Sequence, residues 1–346
     1  MRAVVFRGVG DVQVTDVPDP SLVEPDDAIV RVSRAAICGS DLHFFHGKAP
    51  IDPGDVIGHE AVGVVEAVGP DVRSVEPGDR VVVAFNIACG RCWFCLRGET
   101  QLCDNFRNLG AGAFGGSLAG AQASHVRVPV ADVNLLVLPD DVDDERALFI
   151  GDILATGLYA ASLAAIEPGN TVAVVGCGPV GFFCLQAARM LGAGRVFGID
   201  REPGRLELAA GAGAEPVDAR ERHPASALAE ATDGRGADVV IEAVGTVDAF
   251  ESAVGMVRRG GRVVVVGVYA GETVQAQLGV YWARALDLRF SGVCPVHAWW
   301  GRALDAVRSG DIDPRPLISH RIPLEEAAEG YALFDRREAT KVVLIP

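Results

Sequence analysis

The chain has 346 residues, 49% of them hydrophobic and 22% charged, a size and balance that suit two domains of ordinary size. Its net charge is −15. Polyphosphate binding wants clustered Lys and Arg, and no such run occurs, so nucleic acid and an anionic membrane surface are excluded as partners.

The longest apolar runs, such as Val263 to Val266, are too short to span a bilayer. The opening MRAVVFRGVG moves straight into strand-like alternation with no secretory leader, so the expected location is the cytoplasm. In that compartment eight cysteines point to metal or catalysis before disulfides. Lys48 and Lys341 are the two lysines among 31 basic residues, which reads as a bias of genome composition.

In chain order, the first stretch is rich in β-branched residues. Ala28–Val32, Ala61–Val68 and Arg80–Ala84 read as strands separated by Pro, Gly and Asp clusters, giving a mostly β domain whose loops carry the chemistry. Gly110 to Gly120 is a glycine-rich loop, and the pattern changes after about Asp152. Thr171–Val175 is then an apolar strand, Val180–Leu191 has helical spacing, Gly192–Gly194 ends that helix, and Arg195–Ile199 is the next strand. Asp238–Ile241 and Arg262–Val266 follow, with a helical stretch around Phe250–Val257 between them, and Leu286–Phe290 is another strand. A helix around Trp299–Ser309 and a strand at Lys341–Ile345 close the chain. Such alternation predicts an α/β fold: a doubly wound parallel sheet with helices on both faces.

The turn Gly176-Cys-Gly178-Pro179-Val180-Gly181 follows a strand and opens a helix. Gly176 permits the tight turn, Gly178 lets backbone approach a pyrophosphate, and Gly181 allows close helix–strand packing. A lone motif of this kind is weak, but Asp200 ends the next strand at the offset of about 20 residues expected for a ribose-binding acid. The plain alternative for Asp200 is a helix cap or turn residue. A carboxylate there repels a 2′-phosphate, so NAD is expected over NADP. Arg201 weighs against that preference, and Arg205 reaches the ribose or lies solvated. Val244 and Val268, beyond the ends of two later strands, complete the expected cofactor contacts.

Cys89, Cys92, Cys95 and Cys103 are spaced to wrap one tetrahedral zinc as a closed, structural site. A second set is looser: Cys38-Gly-Ser40-Asp41-Leu-His43, and Gly58-His59-Glu60. A catalytic zinc needs three protein ligands and an open position. Singly, a buried Cys is a small hydrophobe and a lone His a core residue. Together, upstream of the cysteine quartet, they are candidate ligands.

These motifs resemble, in order and over essentially the whole chain, the zinc-containing medium-chain dehydrogenase/reductase superfamily. Gly58-His59-Glu60-x2-Gly63-x5-Gly69-x2-Val72 is similar to its zinc signature. A narrower likeness, to the branch of glutathione-independent formaldehyde dehydrogenases, lies in Gly120-Ala-Gln122-Ala, the segment Pro129–Asp140 and Gly151-Asp152-Ile-Leu-x-Thr156-Gly157. The resemblance implies a GroES-like catalytic domain at 1–153 and 294–346 and an NAD-binding Rossmann domain at 154–293. It implies two zincs per subunit: a catalytic one on Cys38, His59 and Asp152, and a structural one on the quartet. It places Glu60 near the metal and Asp41 against His59. It also implies proton removal through Ser40 and His43, with His46 the alternative to His43.

Phe85 matches a pocket-lining aromatic of the family or is a strand-end core residue, and Phe114 borders the pocket. Trp282, Trp299 and Trp300 are wall or packing residues. The implied reaction is hydride transfer between an alcohol and an aldehyde or ketone. Polyol or threonine dehydrogenase, formaldehyde dismutation and a catalytically silent NAD-binding protein are the alternatives. The substrate is expected to be a small molecule. The assembly is expected to be a homo-oligomer, a tetramer before a dimer, with Gly267–Gln277 as a candidate interface.

Overall fold

Every residue of Thr171–Val175 is buried, because both faces of this strand are covered, as an unbroken apolar run in a parallel sheet requires. The computed structural model describes residues 1–346 except Ala270, Glu272 and the side chain of Phe114. Among the described residues, Thr171–Val175 sits third in a six-stranded sheet. The order runs Glu215–Asp218, Arg195–Asp200, Thr171–Val175, Ala237–Glu242, Val257–Val265, Asp287–Phe290. All neighbours in it are parallel. Chain order therefore reverses direction beside Thr171–Val175, the arrangement that leaves a crevice at the C-terminal strand ends.

The strand Glu215–Asp218 and the helices Pro203–Gly211 and Pro224–Ala231 fall outside the sequence expectations. The strand is at the sheet edge with one buried residue in four, so it lacks an apolar signature. The helix after Thr246 starts at Val247, where the Thr246 side chain accepts from the Ala249 amide. The next strand begins at Val257, earlier than its apolar core suggests, and its register shifts opposite Ala237 to Val239.

The other architecture is mostly β. Among the described residues, the path of its seven-stranded sheet runs His320–Pro323, Val342–Ile345, Ala28–Ala36, Glu60–Val68, Arg80–Val83, Leu135–Val137, with His125–Val128 also paired to Ala28–Ala36. Ala28–Ala36 and Glu60–Val68 pair antiparallel with two register irregularities, which twist and curl the sheet around its core. Val30, Ile37, Val81, Leu109 and Tyr331 are among the fully buried side chains of that core. Each such aliphatic side chain contributes roughly 1.5–3 kcal/mol when buried.

The chain divides into two compact units, Met1–Ala155 with Cys294–Pro346, and Thr156–Val293. No helix among the described residues is long and apolar enough to cross a membrane.

Candidate metal and nucleotide sites

Three chain segments converge in the first unit. Cys38 follows the strand Ala28–Ala36, His59 immediately precedes Glu60–Val68, and Asp152 immediately precedes the helix Ile153–Leu163. Gly58 makes the approach possible. Its φ is +93°, and a Cβ there would sit 2.2 Å from Gln122 Cγ. The glycine-rich loop lies against the same turn, since a Cβ on Gly110 would come within 2.5 Å of the Gly58 backbone.

Ligand atoms of Cys38, His59, Glu60 and Asp152 all lie within 4.8 Å of one another, and all four residues are buried. His59 Nε2 is 3.3 Å from Asp152 Oδ2, and Cys38 Sγ is 3.8 Å from the same oxygen. A tetrahedral zinc with arms of about 2.1 Å to N and O and 2.3 Å to S needs ligand separations of about 3.4–3.8 Å. The donor set and its spacing fit that ion.

Around these ligands runs a buried hydrogen-bond chain. Tyr331 donates its hydroxyl to Gln122 Oε1 at 2.9 Å, and Gln122 Nε2 donates to Asp41 Oδ2 at 2.9 Å. The same Asp41 oxygen accepts from the Cys38 amide at 2.9 Å. Asp41 Oδ1 lies 3.3 Å from His59 Nδ1, within ion-pair distance but not aligned as a hydrogen bond. Carboxylate–histidine contacts of this kind orient metal-binding imidazoles. Burial alone would lower the His59 pKa, but the charges of Asp41 and Cys38 and the close contacts with Asp152 and Asp41 raise it well above the ordinary value. Burial and the Glu60 charge raise the Cys38 thiol. In the absence of a cation, then, this pocket favours a proton on the very groups a metal would bind deprotonated.

Glu60 is held differently from the other three. Its Oε1 accepts from Lys341 Nζ at 2.7 Å, and both side chains are completely buried. The ammonium also lies 5.6 Å from the Phe149 ring centroid. Burial raises the Glu60 carboxyl to about 7 against the opposing pull of Lys341. Its Oε2 is buried without a hydrogen-bond partner among the described residues. Lys341 is therefore part of the site. Composition bias explains why lysines are few, but it does not account for this one.

Ser40 Oγ stands 3.2 Å from His59 Nε2. His46 is bound to Asp335 at 2.7 Å, whereas no partner for the half-buried His43 ring appears among the described residues. Burial, Lys48 and His46 lower the His43 pKa. Phe85 is almost wholly buried and meets the His59 ring edge-on, centroids 6.2 Å apart. Phe114's side chain lies outside the described residues. Trp300 packs on His297, Trp299 stacks under Arg302, and Trp282 is 84% exposed.

The cysteine quartet forms a separate cluster, with all four sulfurs within 4.8 Å of one another and all four cysteines free of disulfides. Cys89 and Cys95 sulfurs are 4.0 Å apart, close to the edge of about 3.8 Å that Zn–S arms of about 2.3 Å generate. Amides of Cys89 and Asn105 donate to Cys103 Sγ at 3.3 Å each. A polar bridge that the sequence does not reveal fastens this lobe: Thr100 Oγ1 to His297 Nδ1 at 2.9 Å, and His297 Nε2 to Asn134 Oδ1 at 2.8 Å. Asn134 Oδ1 also accepts from the Ala88 amide at 2.9 Å.

In the second unit, Gly176 has φ +87°, and a Cβ on Gly181 would stand 1.8 Å from the Gly176 carbonyl oxygen. Glycine is thus required at both ends of the turn that starts the helix Pro179–Met190, with Pro179 at its first position and Val180 next. The free N–H groups at that helix start suit an anion. Asp200 Oδ2 accepts from the Cys177 amide at 2.8 Å, and Oδ1 accepts from the Arg201 and Glu202 amides at 2.7 and 3.0 Å. The carboxylate therefore acts as a turn residue, yet each carboxylate oxygen can accept more than one hydrogen bond, and the side chain is part exposed. Arg205's guanidinium lies about 3.6 Å from where a Gly178 Cβ would stand. Val244 and Val268 are 48% and 59% exposed. Val244 Cγ2 is 2.5 Å from a Cβ built on Gly176, and the Val268 carbonyl 2.3 Å from one on Gly245. Glu242, absent from the sequence expectations, anchors this rim by accepting from the Val244 and Gly245 amides at 2.6 and 2.8 Å.

Residues 24–140 match the family described as the alcohol dehydrogenase GroES-like domain, and residues 179–308 the zinc-binding dehydrogenase family. A zinc-type alcohol dehydrogenase-like protein of Bacillus subtilis is 39% identical, covering 100% of both chains. Among solved structures, alcohol dehydrogenase TADH from Thermus sp. ATN1 is 46% identical with a TM-score of 0.96, covering 100% of this chain and 99% of that one. A zinc-binding dehydrogenase of Sinorhizobium meliloti, solved with NADP bound, is 34% identical with a TM-score of 0.87, covering 100% of this chain and 99% of that one. The chain belongs to the zinc-containing medium-chain dehydrogenase/reductase superfamily, and it is an oxidoreductase of the alcohol dehydrogenase type with GroES-like and Rossmann domains.

Proposed function

We propose that this enzyme interconverts a small alcohol and its aldehyde or ketone with NAD as the preferred hydride acceptor, using a catalytic zinc on Cys38, His59 and Asp152. The convergence of those three donors at tetrahedral spacing carries the reading. Zinc, when bound, supplies a Lewis acid for the substrate oxygen, and the nicotinamide supplies the hydride acceptor. Cys38, His59 and Asp152 hold the metal, and Asp41 orients the His59 ring from the far nitrogen. Ser40 stands beside His59 Nε2 and receives the alcohol proton once that nitrogen is engaged. His43, rather than the ion-paired His46, passes the proton to water. Lys341 opposes the protonation that burial favours and holds Glu60 turned toward the ammonium, so that Glu60 stays a neighbour of the metal rather than a permanent ligand. Phe85 excludes water from the His59 edge.

The quartet Cys89, Cys92, Cys95 and Cys103 holds a second, structural zinc, giving two per chain. Asp200, buttressed by three amides, presents negative charge where a 2′-phosphate would lie, which favours NAD over NADP. Gly176, Gly178 and Gly181 receive the pyrophosphate, Arg201 and Arg205 stand at the ribose end beside Asp200, and Val244 and Val268 line the exposed apolar rim. The Asp152 position is the feature that aligns the site with the formaldehyde dehydrogenase-like branch. The assembly is a homo-oligomer, a tetramer before a dimer. Its candidate face at 267–277 includes Ala270 and Glu272, which lie outside the described residues.

A substrate screen with NAD and NADP side by side, joined to metal analysis, tests the reading. Two zincs and NAD-linked turnover of at least one small alcohol are expected. Bound zinc and NAD without turnover of any alcohol would leave a silent nucleotide-binding protein.

A further inference from the structure

The parallel sheet of the second unit has two ends, and the glycine-rich turn uses only the C-terminal one. At the other end a cavity of about 660 Å³ is lined by residues flanking the starts of Ala237–Glu242 and Val257–Val265. Its walls carry four guanidinium groups, Arg235, Arg258, Arg259 and Arg284, and one carboxylate, Asp238, among small and apolar residues. Three positive charges are thus in excess there, on a chain whose net charge is −15.

Two of the arginines have structural work. Arg284 donates to the carbonyls of Val254, at 2.9 Å, and Val257 at the end of the helix Val247–Met256. Arg258 donates Nε to Asp238 Oδ1 at 2.6 Å and Nη1 to the Arg259 carbonyl at 2.8 Å. Asp238 accepts in addition from the Thr171 amide at 2.8 Å. The other two arginines are not so engaged. Arg235 comes no nearer to Asp238 than 3.7 Å, and no partner of the Arg259 guanidinium appears among the described residues.

We propose that this cavity is a second anion site, distinct from the nucleotide turn, that takes a small phosphate-bearing molecule with two or more negative charges. A monocarboxylate would leave two guanidinium charges unbalanced, and planar guanidinium forks match phosphate oxygens in pairs. The volume suits a ligand of sugar-phosphate size. Arg235 and Arg259 supply the free donors, while Arg258 and Arg284 hold the walls.

Calorimetric titration of the zinc-loaded enzyme, saturated with NAD so that the glycine-rich turn is filled, tests this with fructose 1,6-bisphosphate as probe. One site per chain is expected, weakening as salt rises. In Arg235→Ala/Arg259→Ala, Kd rises at least tenfold while alcohol turnover without the probe is unchanged. No binding to the wild-type enzyme at millimolar probe, or equal binding to the double variant, would overturn the site. Tricarballylate bound as tightly as the bisphosphate would overturn the assignment to phosphate.

Discussion

In the proposed catalytic zinc site, a carboxylate at position 152 completes a ligand set that Cys38 and His59 only begin. Those two stand in short motifs and are legible as candidate ligands from residue type. Asp152, more than ninety residues beyond His59, is legible only through the family resemblance, because an acid before a helix ordinarily caps it. The expected effect of Asp152→Ala is specific: zinc falls from two to one per chain and turnover drops at least 100-fold, while the quartet keeps its metal. Two zincs retained in the variant would dismiss the ligand role. Lys341 and Glu60 teach a related lesson, since 281 positions separate them in the chain. Removing one partner strands the other charge in a dry interior, so Lys341→Met should cost about 3–5 kcal/mol of unfolding free energy. Adding Glu60→Gln should restore a good part of that in urea titrations. A single variant as stable as the parent would show that the pair carries no such weight.

At the level of elements, the helix Ala327–Asp335 reaches the proposed metal site from a distance through Tyr331. Tyr331→Phe removes one hydroxyl and leaves Gln122 Oε1 without its donor, loosening the grip of Gln122 on Asp41. Outer contacts of this kind typically change metal affinity 10–100-fold, and about tenfold weaker zinc binding is expected at the catalytic site. Competition with a chelator reads it, and an unchanged affinity would confine Tyr331 to packing. Periodicity exposed most of the elements that matter here, including Thr171–Val175 and the helix from Pro179, because apolar runs and glycine turns are local signals. It passed over Glu215–Asp218, whose edge position leaves three of four residues at least partly exposed.

For the molecule as a whole, stability should depend on pH through His297. Burial lowers its pKa to about 4, against about 6.5 in an unfolded chain. The folded state therefore resists protonation that the unfolded state accepts. His297's contribution is intact above pH 6.5 and is lost progressively as pH falls toward 4, by about 3 kcal/mol at most. His297→Gln should flatten that acid-side slope relative to the parent in thermal melts at fixed zinc, and parallel slopes would refute the assignment. By itself the sequence determined the class of cofactor turn, the cysteine quartet and the α/β alternation. Each of these is written in neighbouring residues. Only the tertiary structure decided that Lys341 neutralises Glu60, that Asp200 is already braced by three amides, that His297 ties the cysteine lobe to Asn134, and that four arginines surround one cavity. Those outcomes depend on distances between residues far apart in the chain, and burial, which sets the strength of every charge among them, exists only once the chain has folded.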